Sequence, residues 1–121
     1  MNFISILLVG SGAFIGGVLR FMISVWIKSD SDRFPLSTFL INLLGSFLIG
    51  FILSYTFKNE ISPNIRLILA IGFCGGFTTF SAFSIETIQL LQAGQISIAV
   101  LYILASLVGG ILFAWVGLKI N

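Results

Sequence analysis

The sequence predicts an all-α integral membrane protein with four transmembrane helices, the third of them broken mid-membrane. Composition is the first observation: of 121 residues, 58% are hydrophobic and only 8% are charged, whereas about 25% of the residues in a soluble domain are charged. The second is the segment GFCGGFTTFSAFSIE (72–86), which interrupts an apolar stretch with glycines, hydroxyl groups and a carboxylate. Irregular backbone at membrane depth is tolerated only inside protein or beside a cavity, so this segment predicts a functional site.

The hydrophobic stretches divide the chain into four spans within a single domain, residues 1–121. A helix needs roughly 20 apolar residues to cross a bilayer, and residues 3–27, 37–57, 63–91 and 97–119 satisfy this requirement. Pro35 and Pro63 lie where helices begin, a position that suits a residue without an N–H. The first span has no basic start and is too long for a signal peptide, so we expect a retained helix in the cell (inner) membrane.

Several classes of function are excluded by residue content. The chain has no histidine and one cysteine, Cys74, which rules out an intramolecular disulfide and a Cys/His metal site. No base is evident beside that cysteine, so we do not expect it to act as a nucleophile, and we interpret it as a small buried apolar residue. The net charge of +2 comes without a basic cluster, so we expect no nucleic acid partner.

The basic residues give almost no orientation signal. Four spans would put three basic residues on one side of the membrane and two or three on the other, namely Lys58, Arg66 and Lys119 against Lys28, Arg33 and the nearby Arg20. Orientation follows Lys/Arg asymmetry between the two sides, and here that asymmetry is nearly zero. The chain is therefore predicted to insert both ways and to form an antiparallel homodimer; a single orientation set by other signals stays open.

The third span carries the aromatic and hydroxyl candidates. Phe80 and Phe83 are three residues apart and lie near one face. Aromatic residues in membrane helices mostly pack, but ring edges carry the positive part of the quadrupole and can contact a bare anion. Hydroxyl donors accompany them at Thr78, Thr79 and Ser81. If residues 75–79 unwind, their carbonyls need partners, and a cation is one possible partner.

Polar side chains on the second span form a stripe. Asn42 is in mid-span, and Thr38 and Ser46 lie four residues to either side, so the three share one helix face. Two roles stay open for Asn42: it joins helices by hydrogen bonds, or its amide N–H groups donate to an anion. On the fourth span, Tyr102 and Ser106 are also four residues apart and could continue a polar track.

Two charged residues lie within apolar spans. Arg20 either extends along its aliphatic stem to the membrane surface or is buried beside a partner. At a pore entrance its charge would attract anions. Glu86 is the only acid inside a span, and three roles stay open for it: a proton-coupling group, a cation site or an acceptor for hydroxyl groups.

Three motifs in order give the chain a resemblance to the Fluc (also called CrcB) fluoride channels of bacteria and archaea. The motifs are GAFIGGVLRF (12–21), STFLINLLGSFLIG (37–50) and GFCGGFTTFSAFSIE (72–86). The resemblance covers nearly the whole chain, and the third motif is the most specific. The chain departs from the usual family residue at four positions: it has Gly17 where alanine is usual, Phe21 where tyrosine is usual, Ser37 where glycine is common and Ala82 where threonine is usual. Gly110 also offers no hydroxyl at the far end of the polar track.

The resemblance implies a dual-topology, antiparallel homodimer with two fluoride pathways. By motif position, Phe80 and Phe83 would be the pore-lining rings, Asn42 a polar contact in the pore and Arg20 a vestibule residue. Thr38, Ser81, Tyr102 and Ser106 would complete the fluoride pathway, with Thr79 and Glu86 as further intramembrane polar residues. The carbonyls of Gly75 and Thr78 from both subunits would hold a structural Na⁺ at the dimer centre.

The function this implies is passive fluoride export, which lowers cytoplasmic fluoride. Selectivity would depend on pore dimensions and on donors that replace water around the ion. The main alternative is a small multidrug-type proton-coupled exporter, which carries an essential acid in its first helix, where this chain has Arg20 and no acid. A second alternative is a membrane scaffold assembled through GxxxG pairs such as Gly12–Gly16 and Gly72–Gly76. Neither explains the polar, broken third span.

Overall fold

The computed structural model describes residues 1–121, and every regular element in it is helical. The elements are α1 (Phe3–Trp26), α2 (Leu36–Lys58), α3 (Pro63–Arg66), a π-helix (Leu67–Cys74), α4 (Gly75–Phe77), α5 (Phe80–Gln92) and α6 (Ile96–Lys119). The elements from α3 to α5 follow one another as the third long helix, Pro63–Gln92. The predicted fold class, four long apolar helices with an interrupted third helix, is confirmed.

Side-chain exposure fits a lipid environment. Only 17 of the 121 residues are buried, and large apolar side chains are exposed along all four long helices. Phe14 on α1, for example, is 71% exposed. Each long helix is apolar and long enough to cross a bilayer, and exposed apolar side chains are compatible with a lipid environment.

The break in the third helix is narrower than the glycine content suggests. The backbone is extended at Thr78 (φ −81°, ψ 158°) and Thr79 (φ −148°, ψ 125°), whereas α4, which begins at Gly75, is helical. Unwinding over the whole of 75–79 is therefore not observed. Gly76 serves packing instead, because a Cβ there would lie 2.9 Å from the Cα of Ala13 on α1.

A π-helix of eight residues precedes the break, and α1 packs closely along it. π-Helical segments are uncommon and often occur at functional sites. A Cβ at Gly12 would lie 2.8 Å from the Phe73 amide nitrogen, and a Cβ at Gly16 would lie 2.8 Å from the Phe77 nitrogen. The glycines thus bring two backbones of one chain together, which is a different use from the intermolecular scaffold considered above.

The other close contact joins α2 to α6. A Cβ at Gly50 would lie 3.0 Å from the Leu118 nitrogen, and one at Gly117 would lie 2.8 Å from the Phe51 nitrogen. The protein therefore consists of two tightly packed helix pairs, α1 with the first part of the third helix and α2 with α6. By contrast, α1 and α2 make few contacts although they are neighbours in sequence.

Candidate functional site

The side chain of Asn42 holds the break in the third helix. Asn42 Nδ2 donates to the Thr79 carbonyl at 3.0 Å, and the Thr79 N–H donates to Asn42 Oδ1 at 2.9 Å. Both bonds are partly buried, so they act in surroundings where an unpaired backbone group is costly. The amide of Asn42 therefore pairs with an extended residue as a neighbouring strand would, and one Nδ2 hydrogen is left over.

These bonds leave two backbone carbonyls without their helical donors. In a continuous helix the Gly75 carbonyl would accept from the Thr79 N–H, but that N–H donates to Asn42. The Thr78 carbonyl would accept from the Ala82 N–H, but that N–H donates to Thr79 Oγ1 at 3.1 Å and so caps α5. The carbonyls freed in this way belong to Gly75 and Thr78, the two residues that the family resemblance implies as cation ligands.

Arg20 contacts the backbone beside the break. Its Nε donates to the Gly76 carbonyl at 3.1 Å, close to the C-terminal end of α4, where positive charge is favourable. No carboxylate lies within ion-pair distance of Arg20. The guanidinium therefore retains free donors and an uncompensated charge in the membrane, which suits contact with an anion.

An open groove of about 480 Å³ runs along the break. Its lining includes the residues 42, 74, 75, 78 to 80, 83 and 106. Phe80 lines the groove and is 76% exposed, so it lies at the groove's open side. This groove brings together most of the pathway and cation residues predicted from the sequence.

A row of aromatic rings leads from the groove into the protein. The ring centroids of Phe80 and Phe83 are 5.7 Å apart with a tilt of 42°, and the rings of Phe83 and Tyr102 are 5.0 Å apart. Phe34 closes the row with an edge-on contact to Tyr102 at 5.4 Å. None of these pairs is a face-to-face stack, so ring edges, the electropositive part of each ring, are presented along the row.

Glu86 lies at the Tyr102 end of this row and accepts hydrogen bonds from two helices. Thr38 Oγ1 donates to Glu86 Oε2 at 2.9 Å, and the Tyr102 hydroxyl donates to Oε1 at 3.4 Å. Of the three roles left open for Glu86, the structure shows the acceptor for hydroxyl groups. Thr38 and Tyr102, predicted for the fluoride pathway, therefore belong to this cluster and not to the groove lining.

Two hydroxyl groups near the groove differ in their bonding. Ser106 Oγ is buried without any hydrogen-bond partner, and Ser106 lines the groove. Ser81 Oγ lies 3.2 Å from Thr79 Oγ1, and since Thr79 Oγ1 already accepts from Ala82, the pair adds a second bond to the cap of α5. Ser106 is thus the one predicted pathway hydroxyl that is buried with its hydrogen-bonding capacity unused.

The hydrogen bonds that shape the break were not anticipated from the sequence. Asn42 was named as an anion contact or as an interhelical bond, but its two-point contact with Thr79 has no sequence signal, because the residues are 37 positions apart. The π-helix likewise has no signal in its residues, LILAIGFC. Cys74, interpreted as a small buried apolar residue, is buried beside the groove, and its carbonyl accepts from both the Thr78 N–H and Thr78 Oγ1.

These features define a class: small four-helix membrane proteins whose third helix is broken beside a polar, aromatic-lined groove. Residues 7–118 match the family model described as CrcB-like protein, Camphor Resistance (CrcB). The chain belongs to the CrcB family, and it is a multi-pass protein of the cell membrane.

Relatives of this family resemble the chain along almost its whole length. The "Fluoride-specific ion channel FluC" of Chlorobium phaeobacteroides (strain BS1) is 44% identical over 120 residues, which are 98% of this chain and 94% of the relative. The "Fluoride-specific ion channel FluC 2" of Bacillus cereus (strain ATCC 14579) is 46% identical over 119 residues, 98% of each protein. The "Fluoride-specific ion channel FluC" of Chlorobium chlorochromatii (strain CaD3) is 46% identical over 114 residues, which are 93% of this chain and 88% of the relative.

Proposed function

We propose that this protein is a fluoride-selective channel that lets fluoride leave the cell passively and so lowers cytoplasmic fluoride. The observation that carries the proposal is the groove at the helix break, where ring edges, an amide N–H and hydroxyl donors meet at membrane depth. The names of the relatives, fluoride-specific ion channels, support the same function. No covalent step is needed, so we propose that the protein is not an enzyme.

Fluoride would be passed between weak donors in place of water. At the break it would meet the remaining Nδ2 hydrogen of Asn42 and the N-terminal end of α5, whose dipole is positive toward an anion. The edges of Phe80 and Phe83 would carry it inward, and Ser106 would donate its unused hydroxyl. Several weak contacts suit conduction, since an ion must enter readily and also leave.

The open groove supports an antiparallel homodimer. A groove with an exposed Phe80 and two carbonyls that lack helical donors would be poorly satisfied in a single protomer, because unpaired polar groups cost several kcal/mol in hydrocarbon. A second copy in the opposite orientation would cover it, and the balanced basic residues permit both orientations. Each protomer would then complete the pathway of its partner.

Na⁺ at the centre of that dimer is supported by the freed carbonyls. Gly75 and Thr78 would each supply one carbonyl oxygen per protomer, and oxygen ligands suit a hard cation. Their release from helical hydrogen bonds is caused by Asn42 and by the Thr79 cap. The ion would supply the positive charge that binds the break segments of the two protomers together.

The proposal is tested by fluoride efflux from liposomes that contain the purified protein. We expect rapid fluoride loss without chloride loss, and we expect Phe80→Ile to abolish it. Phe14→Ile is the matched control, because Phe14 is similarly exposed but lies on α1 away from the groove. Absence of flux from a folded sample would overturn the channel function. Equal flux in the two variants would overturn the role assigned to the Phe80 ring.

Proton-coupled export, the alternative function, is tested with Glu86. A coupled exporter needs a membrane acid that titrates, and Glu86 is the acid available here. Glu86→Gln keeps an acceptor oxygen but cannot take up and release a proton, so it cannot couple proton movement to export. Retained transport in Glu86→Gln counts against proton coupling, whereas loss of transport together with a dependence on a proton gradient in the unsubstituted protein would favour it.

A further inference from the structure

A second polar opening lies between the α1–α2 loop and α5. We call it the loop cleft, and it is lined by residues 29 to 31, Arg33 and Pro35 of the loop and by Glu86 and Gln89 of α5. Its volume is about 110 Å³ and none of its lining residues is hydrophobic. Since one water needs at least about 10–15 Å³, the loop cleft is large enough for several waters or a hydrated ion.

Glu86 connects the loop cleft with the proposed pathway. Its carboxylate lines the cleft and also accepts from Thr38 and Tyr102. Tyr102 in turn contacts Phe83, which lines the groove. A hydrated ion in the loop cleft is therefore one side chain away from the row of rings.

The charges of the loop cleft are unexpected for an anion route. Two carboxylates, Asp30 and Glu86, line it, and Arg33 is its single cation. Arg33 Nε lies 3.7 Å from Asp30 Oδ2, and the two side chains are 77% and 78% exposed. Such an exposed pair is weak, so the guanidinium is not locked onto Asp30 and remains available to another anion.

We propose that the loop cleft is the aqueous mouth of the fluoride pathway, that Arg33 captures fluoride there, and that Asp30 moderates this capture by pairing with Arg33. The inference rests on the proposed channel function. Arg33 offsets one of the two carboxylates, and the hydroxyls of Ser29 and Ser31 and the amide of Gln89 are further donors for a hydrated anion. A charge at the mouth of a cleft changes the local ion concentration and hence the rate of entry.

The loop provides its own controls for this proposal. Arg33→Gln and Asp30→Asn change charges that line the loop cleft, whereas Lys28→Gln and Asp32→Asn make the same charge changes in the same loop outside its lining. All four positions are exposed, so folding is not at risk. Fluoride current across planar bilayers is measured at low fluoride and low ionic strength, and again with an impermeant sulfonate salt added to about 1 M, where the Debye length is about 3 Å.

We expect Arg33→Gln to lower the current at low ionic strength by about two- to fivefold and Asp30→Asn to raise it by a similar factor, the scale of one screened surface charge. The two control variants change it less, and added salt removes the differences. Currents in Arg33→Gln equal to those in Lys28→Gln, or a loss that persists at 1 M salt, overturn the proposal. A folded, unsubstituted protein without fluoride current instead overturns the channel function itself.

Discussion

Replacing Asn42 by alanine should weaken the break in the third helix. The change removes the bonds of 3.0 Å and 2.9 Å that join the side chain to Thr79. Each such bond contributes about 0.5–1.5 kcal/mol net, and a buried backbone group left unpaired costs about 1–3 kcal/mol. We therefore expect Asn42→Ala to lower the free energy of unfolding by about 2–4 kcal/mol. Asn42→Asp keeps an acceptor for the Thr79 N–H but places a carboxylate against the Thr79 carbonyl, so it should also destabilise.

The matched control is Asn59→Ala. Asn59 Nδ2 also donates to a backbone carbonyl, that of Tyr55 at 2.9 Å, but in an exposed position, where the loss should stay within about 0.5 kcal/mol. Thermal unfolding in detergent compares the variants, and amide hydrogen exchange at Thr79 reports the bond directly. Equal melting temperatures for Asn42→Ala and Asn59→Ala, together with a protected Thr79 N–H, would refute the reasoning.

Three further predictions concern the groove, the helix packing and the ion. Ser106→Ala should lower fluoride flux without lowering the melting temperature, because the Ser106 hydroxyl has no partner. Ser37 carries the other buried unpaired hydroxyl but lies outside the groove, so Ser37→Ala should leave flux unchanged. Equal flux in the two variants would contradict the role of Ser106. Gly16→Ala should reduce the folded yield, because the added Cβ meets backbone atoms of the third helix. Gly10→Ala has nothing within 4 Å of its Cβ and should raise stability by up to about 1 kcal/mol. If both variants melt in detergent like the unsubstituted protein, the close packing of α1 against the third helix is wrong. Replacing Na⁺ by N-methylglucamine should lower flux and dimer stability, measured by efflux and by size-exclusion chromatography, and no change in either would oppose the sodium site.

The fold could be predicted from the sequence because its main constraints are local. Apolar length sets the spans, and backbone groups in lipid must be satisfied within each helix. The exact break could not be predicted, since the glycines at 75 and 76 stay helical and Thr78 and Thr79 are extended instead. The reason lies on another helix, where Asn42 takes the Thr79 N–H, and a contact of this range leaves no local pattern.

The candidate site was predictable as a set of residues but not as an arrangement. Residue type and position in a span marked Thr38, Glu86 and Tyr102 separately, because polar groups are expensive in the membrane. Their assembly into one hydrogen-bonded cluster depends on how α2, α5 and α6 pack, which hydropathy does not encode. The same holds for the loop cleft, since the charged residues of the first loop gave no sign of lying beside α5.

The pairing of helices has a consequence for how the protein is made. Of the first two helices to leave the ribosome, α1 packs mainly with the third long helix and α2 mainly with α6, and they touch each other little. Neither helix therefore has its principal partner until later spans have been synthesised. We expect a nascent chain that ends near Lys58 to hold two inserted but unassembled helices, so that α1 pairs only once the third long helix is made and α2 only once α6 is made.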